Sequence, residues 1–214
     1  IRVVALEENQ GFAIARNEGL KVARGEFITG MDSDDIMLPN AIKARVEFLN
    51  SHPEVGLVFG KIHKVIDKDG NPIENAFSER IQQFYMREKE YDFYEKVKKL
   101  EMWIPNADVT SMFRRDLLFR QGYYEENLMY GGDKEFFFRI MRDSNISYVA
   151  EPIVSYRLHN SNNSAMMDKE TGEWVSNPES ISEMRYVSEL LRDYRRETKK
   201  PKKVCTVIRL LNLK

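Results

Sequence analysis

The sequence predicts an α/β protein: an open sheet flanked by helices, with its ligand end marked by carboxylates. Two observations carry this. Gly25-Glu26-Phe27-Ile28-Thr29-Gly30-Met31 reads as a short, largely apolar strand that runs into Asp32-Ser33-Asp34-Asp35. Segments of helical character stand on either side, Phe12 to Arg24 before it and the stretch opened by Pro39 after it. Open α/β sheets meet ligands at the carboxyl ends of their strands. Carboxylates crowded there repel and raise one another's pKa. A divalent cation removes that cost, and hard oxygen ligands suit Mg²⁺ or Mn²⁺ arriving with a substrate phosphate. On the four residues alone, a strand-end turn whose Asp residues cap the next helix explains them equally well.

The elements follow in order. Ile1 to Ala5 has the look of a strand. Phe12 to Arg24 places Ala15, Gly19 and Ala23 on one helix face, with Gly25 suited to its C-terminal cap. Pro39 suits the first turn of the next helix, whose expected buried stripe is Ile42, Val46 and Leu49 and which His52-Pro53 ends. Val55 to Phe59 fits a buried strand. Lys61 to Ile73 reads as a hairpin turning at Asp69-Gly70. Residues 78–102, charged with interspersed aromatics such as Phe84 and Tyr91, read as one or two amphipathic helices. Val109 to Phe113 is an expected strand, and Arg114-Arg115-Asp116 opens a short helix. Asp133 to Arg142 is an expected helix burying Phe136, Phe137, Ile140 and Met141. Ile146 to Ala150 and Ile153 to Tyr156 complete the strands.

With 214 residues the chain can bury one proper core. Net charge is −1, so no overall field favours nucleic acid. The charge is uneven: residues 195–214 hold eight basic side chains against the single acid Glu197. Apolar residues such as Val207 and Leu210 alternate with them, so this tail could lie on an anionic membrane surface or pack as a terminal helix. Cys205 is the single cysteine, which excludes an internal disulfide and a Cys-based zinc site and fits a cytoplasmic setting, with or without peripheral membrane contact.

Four separated motifs agree on a family. They are Asn9-Gln10-Gly11 through Ala15-Arg16-Asn17, the Asp32–Asp35 cluster, Gly131-Gly132-Asp133 opening the Phe136 helix, and Tyr156-Arg157-Leu158-His159. In this order they resemble the nucleotide-sugar transferases of glycosyltransferase family two over roughly residues 1–165. The resemblance implies a GT-A fold, a Rossmann-like mixed sheet flanked by helices. Residues 78–104 would be a variable, acceptor-side helical insertion, and 166–214 a helical, basic extension. The family's opening strand–helix–strand and its base-contacting Asp find no match here, and Ile1 is not preceded by a Met, so the expectation is an N-terminally incomplete form.

The implied activity is metal-dependent transfer of a sugar from a nucleoside diphosphate sugar, a UDP-sugar first, to a hydroxyl of a glycan or lipid-linked acceptor. Inversion is part of that implication. Carried over by motif, Asp34 and His159 are the ligands of Mn²⁺ or Mg²⁺, and Asp32 is the nucleotide contact. Gly11, Arg16 and Asn17 line the donor pocket, and Arg16 could instead be an ion-pair partner of the Asp cluster. Asp35 is a capping or supporting residue. Asp133 is the candidate general base; the helix N-terminus would favour its anion, or it would be only an N-cap. The family's usual Glu before this Asp is Gly132 here, which bears on acceptor contacts. Arg114-Arg115 could meet an anionic acceptor or simply end a strand. Two alternatives stay open: a nucleotidyltransferase of related fold, and a non-catalytic sugar-binding remnant.

Overall fold

The computed structural model describes residues 1–74, 106–159, 162, 165–167, 170, 174–177, 185, 187 and 189. The expected helices of 78–102, the insertion 78–104 and the basic tail 195–214 with Cys205 lie outside the described residues. Helix α1 is Phe12–Val22, strand β1 Phe27–Ile28, β2 Ile36–Met37, α2 Ala41–Ser51 and β3 Val55–Ile66. After the gap come α3 Ala107–Thr110, β4 Ser111–Arg114, α4 Arg115–Gln121, α5 Gly132–Asp143 and β5 Asn145–Arg157. A separate antiparallel ribbon pairs β6, Ala165–Met167, with β7, Trp174–Ser176. This ribbon stands at the start of the extension expected to be helical over 166–214, within which residues 185, 187 and 189 are helical; Trp174 and Val175 favour strands.

The five-stranded sheet has the order β1-β4-β3-β5-β2. Its centre is the long parallel pair β3–β5, and the other three pairings are antiparallel. Strands β1, β3 and β5 therefore run the same way, and their carboxyl ends share one edge of the sheet. Gly60 lies in β3 where the register of that pair slips. A Cβ there would stand 2.2 Å from Ile153 Cγ1, so only glycine lets the two bulged strands close.

Helices cover both faces. Val55 to Phe59 is buried throughout because alternate side chains meet different layers. Leu57 and Phe59 join Phe113, Phe136, Phe137, Phe138 and Ile140 on one side. Val58 joins Ala41, Phe48 and Leu49 on the other. Phe136 and Ile140 are fully buried, and each such side chain contributes about 1.5–3 kcal/mol on leaving water. Phe138, outside the expected stripe, is buried too, in the cluster that includes Val187.

Several expectations need correcting. Ile1 to Ala5 is not a strand: among the described residues no strand pairs with it, and Ile1 and Val3 are exposed. The α1 face that carries Ala15 and Gly19 is exposed, and the buried residues of this helix are Ala13 and Asn17. Its cap is Ala23, ahead of Gly25. In α2 the buried residues are Ala41, Arg45, Phe48 and Leu49, while Ile42 is half exposed. The stripe is turned because Arg45 goes inward, where Ala41 O, Thr29 Oγ1 and Ser111 O accept from it. Residues 107–110 form a short helix before β4 starts at Ser111. The strands expected at 146–150 and 153–156 are one strand, β5. The hairpin turn after β3 is as expected: Asp67 O accepts from Gly70 N, and Ile73 N returns to Val65 O.

Candidate active site

The loop after β1 carries the Asp cluster to the edge where β3 and β5 end. Arg157, at the end of β5, holds that loop. Its backbone N–H donates to Asp35 Oδ1 at 2.8 Å and its Nε to Asp34 O at 2.6 Å. Its Nη1 donates to Asp67 O and Lys68 O of the turn after β3. One guanidinium thus fastens three segments at a single corner.

Two residues beyond, His159 Nε2 lies 2.9 Å from Asp34 Oδ2. Asn162 Nδ2 reaches the same oxygen at 3.3 Å, and its Oδ1 accepts from the His159 backbone N–H at 2.5 Å. Asp35 Oδ2 is buried with no hydrogen-bond partner among the described residues. Burial, then Asp32 and Asp34 nearby, push the Asp35 carboxyl up to about 7 against the pull of the Arg157 N–H.

A second cluster stands beside the first. Arg16 Nε donates to Asp108 Oδ2 at 2.5 Å, its Nη1 to Met31 O at 3.1 Å, and its Nη2 to Asp32 Oδ1. Asp108 Oδ1 accepts from the Tyr124 hydroxyl. Burial pushes the Asp32 carboxyl up to about 6; Arg16 opposes the shift, while Asp108, Asp34 and Asp133 add to it. Four carboxylates therefore share one field, with Arg16 as the cation bonded to two of them.

Asp133 enters this field from the first turn of α5. The N-cap is Gly131, in the left-handed region, so Asp133 is inside the helix. Burial raises its pKa and Asp108 adds to the rise, while Lys134 and the backbone N–H groups of Lys134 and Asp133 oppose it. The helix terminus does not win, contrary to the expectation of a favoured anion.

The remaining expected residues are placed as follows. Gly11 is the exposed N-cap position of α1, and its N–H donates to Asn9 Oδ1. Asn17 is buried, with its amide spent on the Tyr124 backbone and Glu126. Asp35 binds the Arg157 N–H, and the N-cap position of α2 is Asn40, which makes no side-chain capping bond. Arg114 is committed to Leu49 O and Val55 O, and Arg115 to Ala23 O. Sequence reasoning missed Asp108, Tyr124 and Asn162, and it placed Arg157 in a motif without giving it a role. For Asp108 a signal existed: a lone carboxylate between Ala107 and Val109.

No group of three His, Cys, Asp or Glu side chains among the described residues gathers as a metal site. The donor chemistry nonetheless fits a small divalent ion. Octahedral bonds of about 2.0–2.1 Å place neighbouring ligand atoms about 3 Å apart, and Asp34 Oδ2 and His159 Nε2 stand at that spacing. Imidazole with carboxylate suits Mn²⁺. Such ions are commonly held by one or two carboxylates and completed by substrate phosphate.

Known proteins resemble this chain in sequence and in fold. The profile of Glycosyl transferase family 2 matches residues 1–119. An uncharacterized glycosyltransferase of Methanocaldococcus jannaschii is 26% identical over 161 residues, covering 73% of this chain and 50% of that protein. The amylovoran biosynthesis glycosyltransferase AmsE of Erwinia amylovora is 28% identical over 139 residues, covering 65% of this chain and 47% of that protein. The crystal structure of S. aureus TarS 1-349 in complex with UDP-GlcNAc matches with a TM-score of 0.55 at 20% identity, over 88% of this chain and 49% of that one. It shares the GT-A arrangement of sheet and helices. The chain spans about half the length of these relatives. The chain belongs to glycosyl transferase family 2.

Proposed function

We propose that this chain forms the donor-side and catalytic portion of an enzyme that moves a sugar from a nucleoside diphosphate sugar to an acceptor hydroxyl in glycan biosynthesis. The observation that carries the reading is the meeting of the Asp34–His159 pair with the field of Asp32 and Asp133 at the carboxyl edge of β1, β3 and β5. Asp34 and His159 would hold Mn²⁺ or Mg²⁺. When bound, the ion supplies charge neutralisation for the leaving diphosphate.

The chain's own residues do the rest. Arg16 keeps Asp32 oriented toward the nucleotide. Asp133 accepts the acceptor's proton, a task its raised pKa suits. The acceptor oxygen then forms its bond to the anomeric carbon as the bond to the diphosphate oxygen breaks. With one base and direct displacement, the outcome is inversion. A UDP-sugar is the proposed donor class. A glycan or a lipid-linked sugar is the proposed acceptor, and the basic, apolar-studded segment 195–214 suits peripheral contact with an anionic membrane. Within the described residues no helix is long and apolar enough to cross a membrane.

The test is turnover of a panel of nucleoside diphosphate sugars, beginning with UDP-GlcNAc, by the natural full-length polypeptide with and without Mn²⁺. Release of nucleoside diphosphate that requires the ion supports the reading. No release and no binding of any donor rejects it.

A further inference from the structure

Asp108 lies outside the motifs that mark the site, yet both of its oxygens are engaged there. It is 6% exposed. The turn that presents it is pinned at Asn106, whose backbone is left-handed and whose carbonyl accepts from Val109 N and Thr110 N. Gly30, two residues past the end of β1, packs against it, and the Gly30 N–H donates to Asp108 O at 3.1 Å. Oδ2 takes the Nε edge of Arg16 and Oδ1 the Tyr124 hydroxyl.

A guanidinium is planar, so fixing its Nε edge fixes where its outer nitrogens point. Here Nη2 meets Asp32. Tyr124 cannot swing away. Its ring stacks on Phe136 at 4.1 Å between centroids, and it meets Phe12 edge-on at 5.5 Å. The Arg16 guanidinium sits over the Phe12 ring at 5.2 Å. Burial raises the phenol well above its ordinary range, so the hydroxyl keeps its proton and donates. Phe136 stands one turn beyond Asp133 on α5.

We propose that Asp108, held by the Tyr124 hydroxyl, is a positioning residue: it aims Arg16 at Asp32 and, through Tyr124 and Phe136, ties that setting to the helix turn that carries Asp133. The proposal rests on the sugar-transfer reading for its consequence. The path Asp32–Arg16–Asp108–Tyr124–Phe136 joins the donor side to the candidate base through rigid or doubly held groups. Asp108 touches no reacting atom.

Two measurements on the full-length polypeptide test it. The first needs no donor. The Arg16 Nε–H signal in a ¹H–¹⁵N spectrum, assigned by its loss in Arg16→Lys, is expected to be protected from exchange. Tyr124→Phe removes only the hydroxyl and should shift that signal, and Asp108→Asn should end the protection. An unchanged signal in both variants overturns the proposal. The second uses UDP-GlcNAc with Mn²⁺. Tyr124→Phe, which loosens Arg16 only through Asp108, should raise the donor KM about threefold to tenfold, and Asp108→Asn, which removes the carboxylate's own bond to Arg16, about tenfold to a hundredfold. In an Arg16→Lys background, Tyr124→Phe should add nothing, because the group it positions is gone. A Tyr124→Phe effect of equal size in both backgrounds overturns the proposal. A wild-type protein that turns over no nucleotide sugar sinks the sugar-transfer reading instead, and the Nε–H spectrum still decides the positioning.

Discussion

His159 Nε2 and Asp34 Oδ2 stand 2.9 Å apart, although 125 positions separate them in the chain. The pair exists because β5 returns beside β3 in parallel, and because Arg157 clamps the Asp34 carbonyl as the strand ends. A strand end and a loop are thus brought together by Arg157, and the two ligand atoms are left facing one another.

Asp133→Asn keeps the size of the side chain but cannot take a proton. We expect turnover to fall by about 10² to 10⁴ with donor affinity little changed. Retained turnover, or a loss confined to donor affinity, would remove Asp133 from the role of base. Steady-state kinetics with a parallel binding titration separates these outcomes.

The raised carboxyls make stability depend on pH. Asp32 is pushed up to about 6 and Asp35 to about 7. Between the ordinary carboxylate range near ~4 and these values, the folded protein holds protons that the unfolded chain has released. Stability contributed by these two groups therefore falls as pH rises through that window. Water screens part of the effect at Asp32, whose side chain is 42% exposed. The melting temperature should drop from pH 5 to pH 8, and Mn²⁺ should recover more of it at pH 8 than at pH 5. Asp35→Asn should flatten the profile. A profile that Asp35→Asn leaves unaltered contradicts the assignment.

Arg45 is fully buried, and its hydrogen-bond acceptors among the described residues are three neutral oxygens; burial pulls its pKa down to about 10. Replacing it with Met removes the desolvated charge and fills most of the space, so the cost should stay near 1 kcal/mol or below. Arg45→Ala leaves a cavity beside the Ser111 carbonyl and should cost about 3 kcal/mol. Urea denaturation of both variants checks the order; equal losses would contradict it.

Gly30 allows the end of β1 to lie against Asp108. A Cβ on it would stand 2.8 Å from Asp108 O and 3.0 Å from Asp108 Cγ. Because the obstructing atom is backbone, Gly30→Ala should destabilise by about 1–3 kcal/mol and weaken donor binding together with it. Thermal melts and donor titration of this variant provide the check; an unaltered melt would show that the turn gives way freely.

What the sequence revealed and what it hid have physical causes. The Asp cluster and the Tyr156-Arg157-Leu158-His159 segment stood out through the family motifs they belong to, since the carboxylates alone fit a strand-end turn equally well. The α5 helix was legible because its apolar spacing is strong, with Phe136, Phe137, Ile140 and Met141 all buried. Arg45 misled because inward burial of a cation depends on the Thr29 hydroxyl and the Ser111 carbonyl of β4, which no local pattern contains. Asp108 and Tyr124 were hidden for the same reason. Each gains meaning only from Arg16, 92 positions away from Asp108. Asn17, read as a donor contact, proved to be spent on the 124–126 loop, which only the fold brings to it.

The most direct test of the account is calorimetric titration of UDP into the full-length polypeptide, with and without Mn²⁺, for the wild type and Asp34→Asn. The account predicts binding that requires Mn²⁺ in the wild type and is abolished in Asp34→Asn, with an unchanged far-ultraviolet spectrum. Mn²⁺-dependent binding of undiminished strength in Asp34→Asn would contradict it.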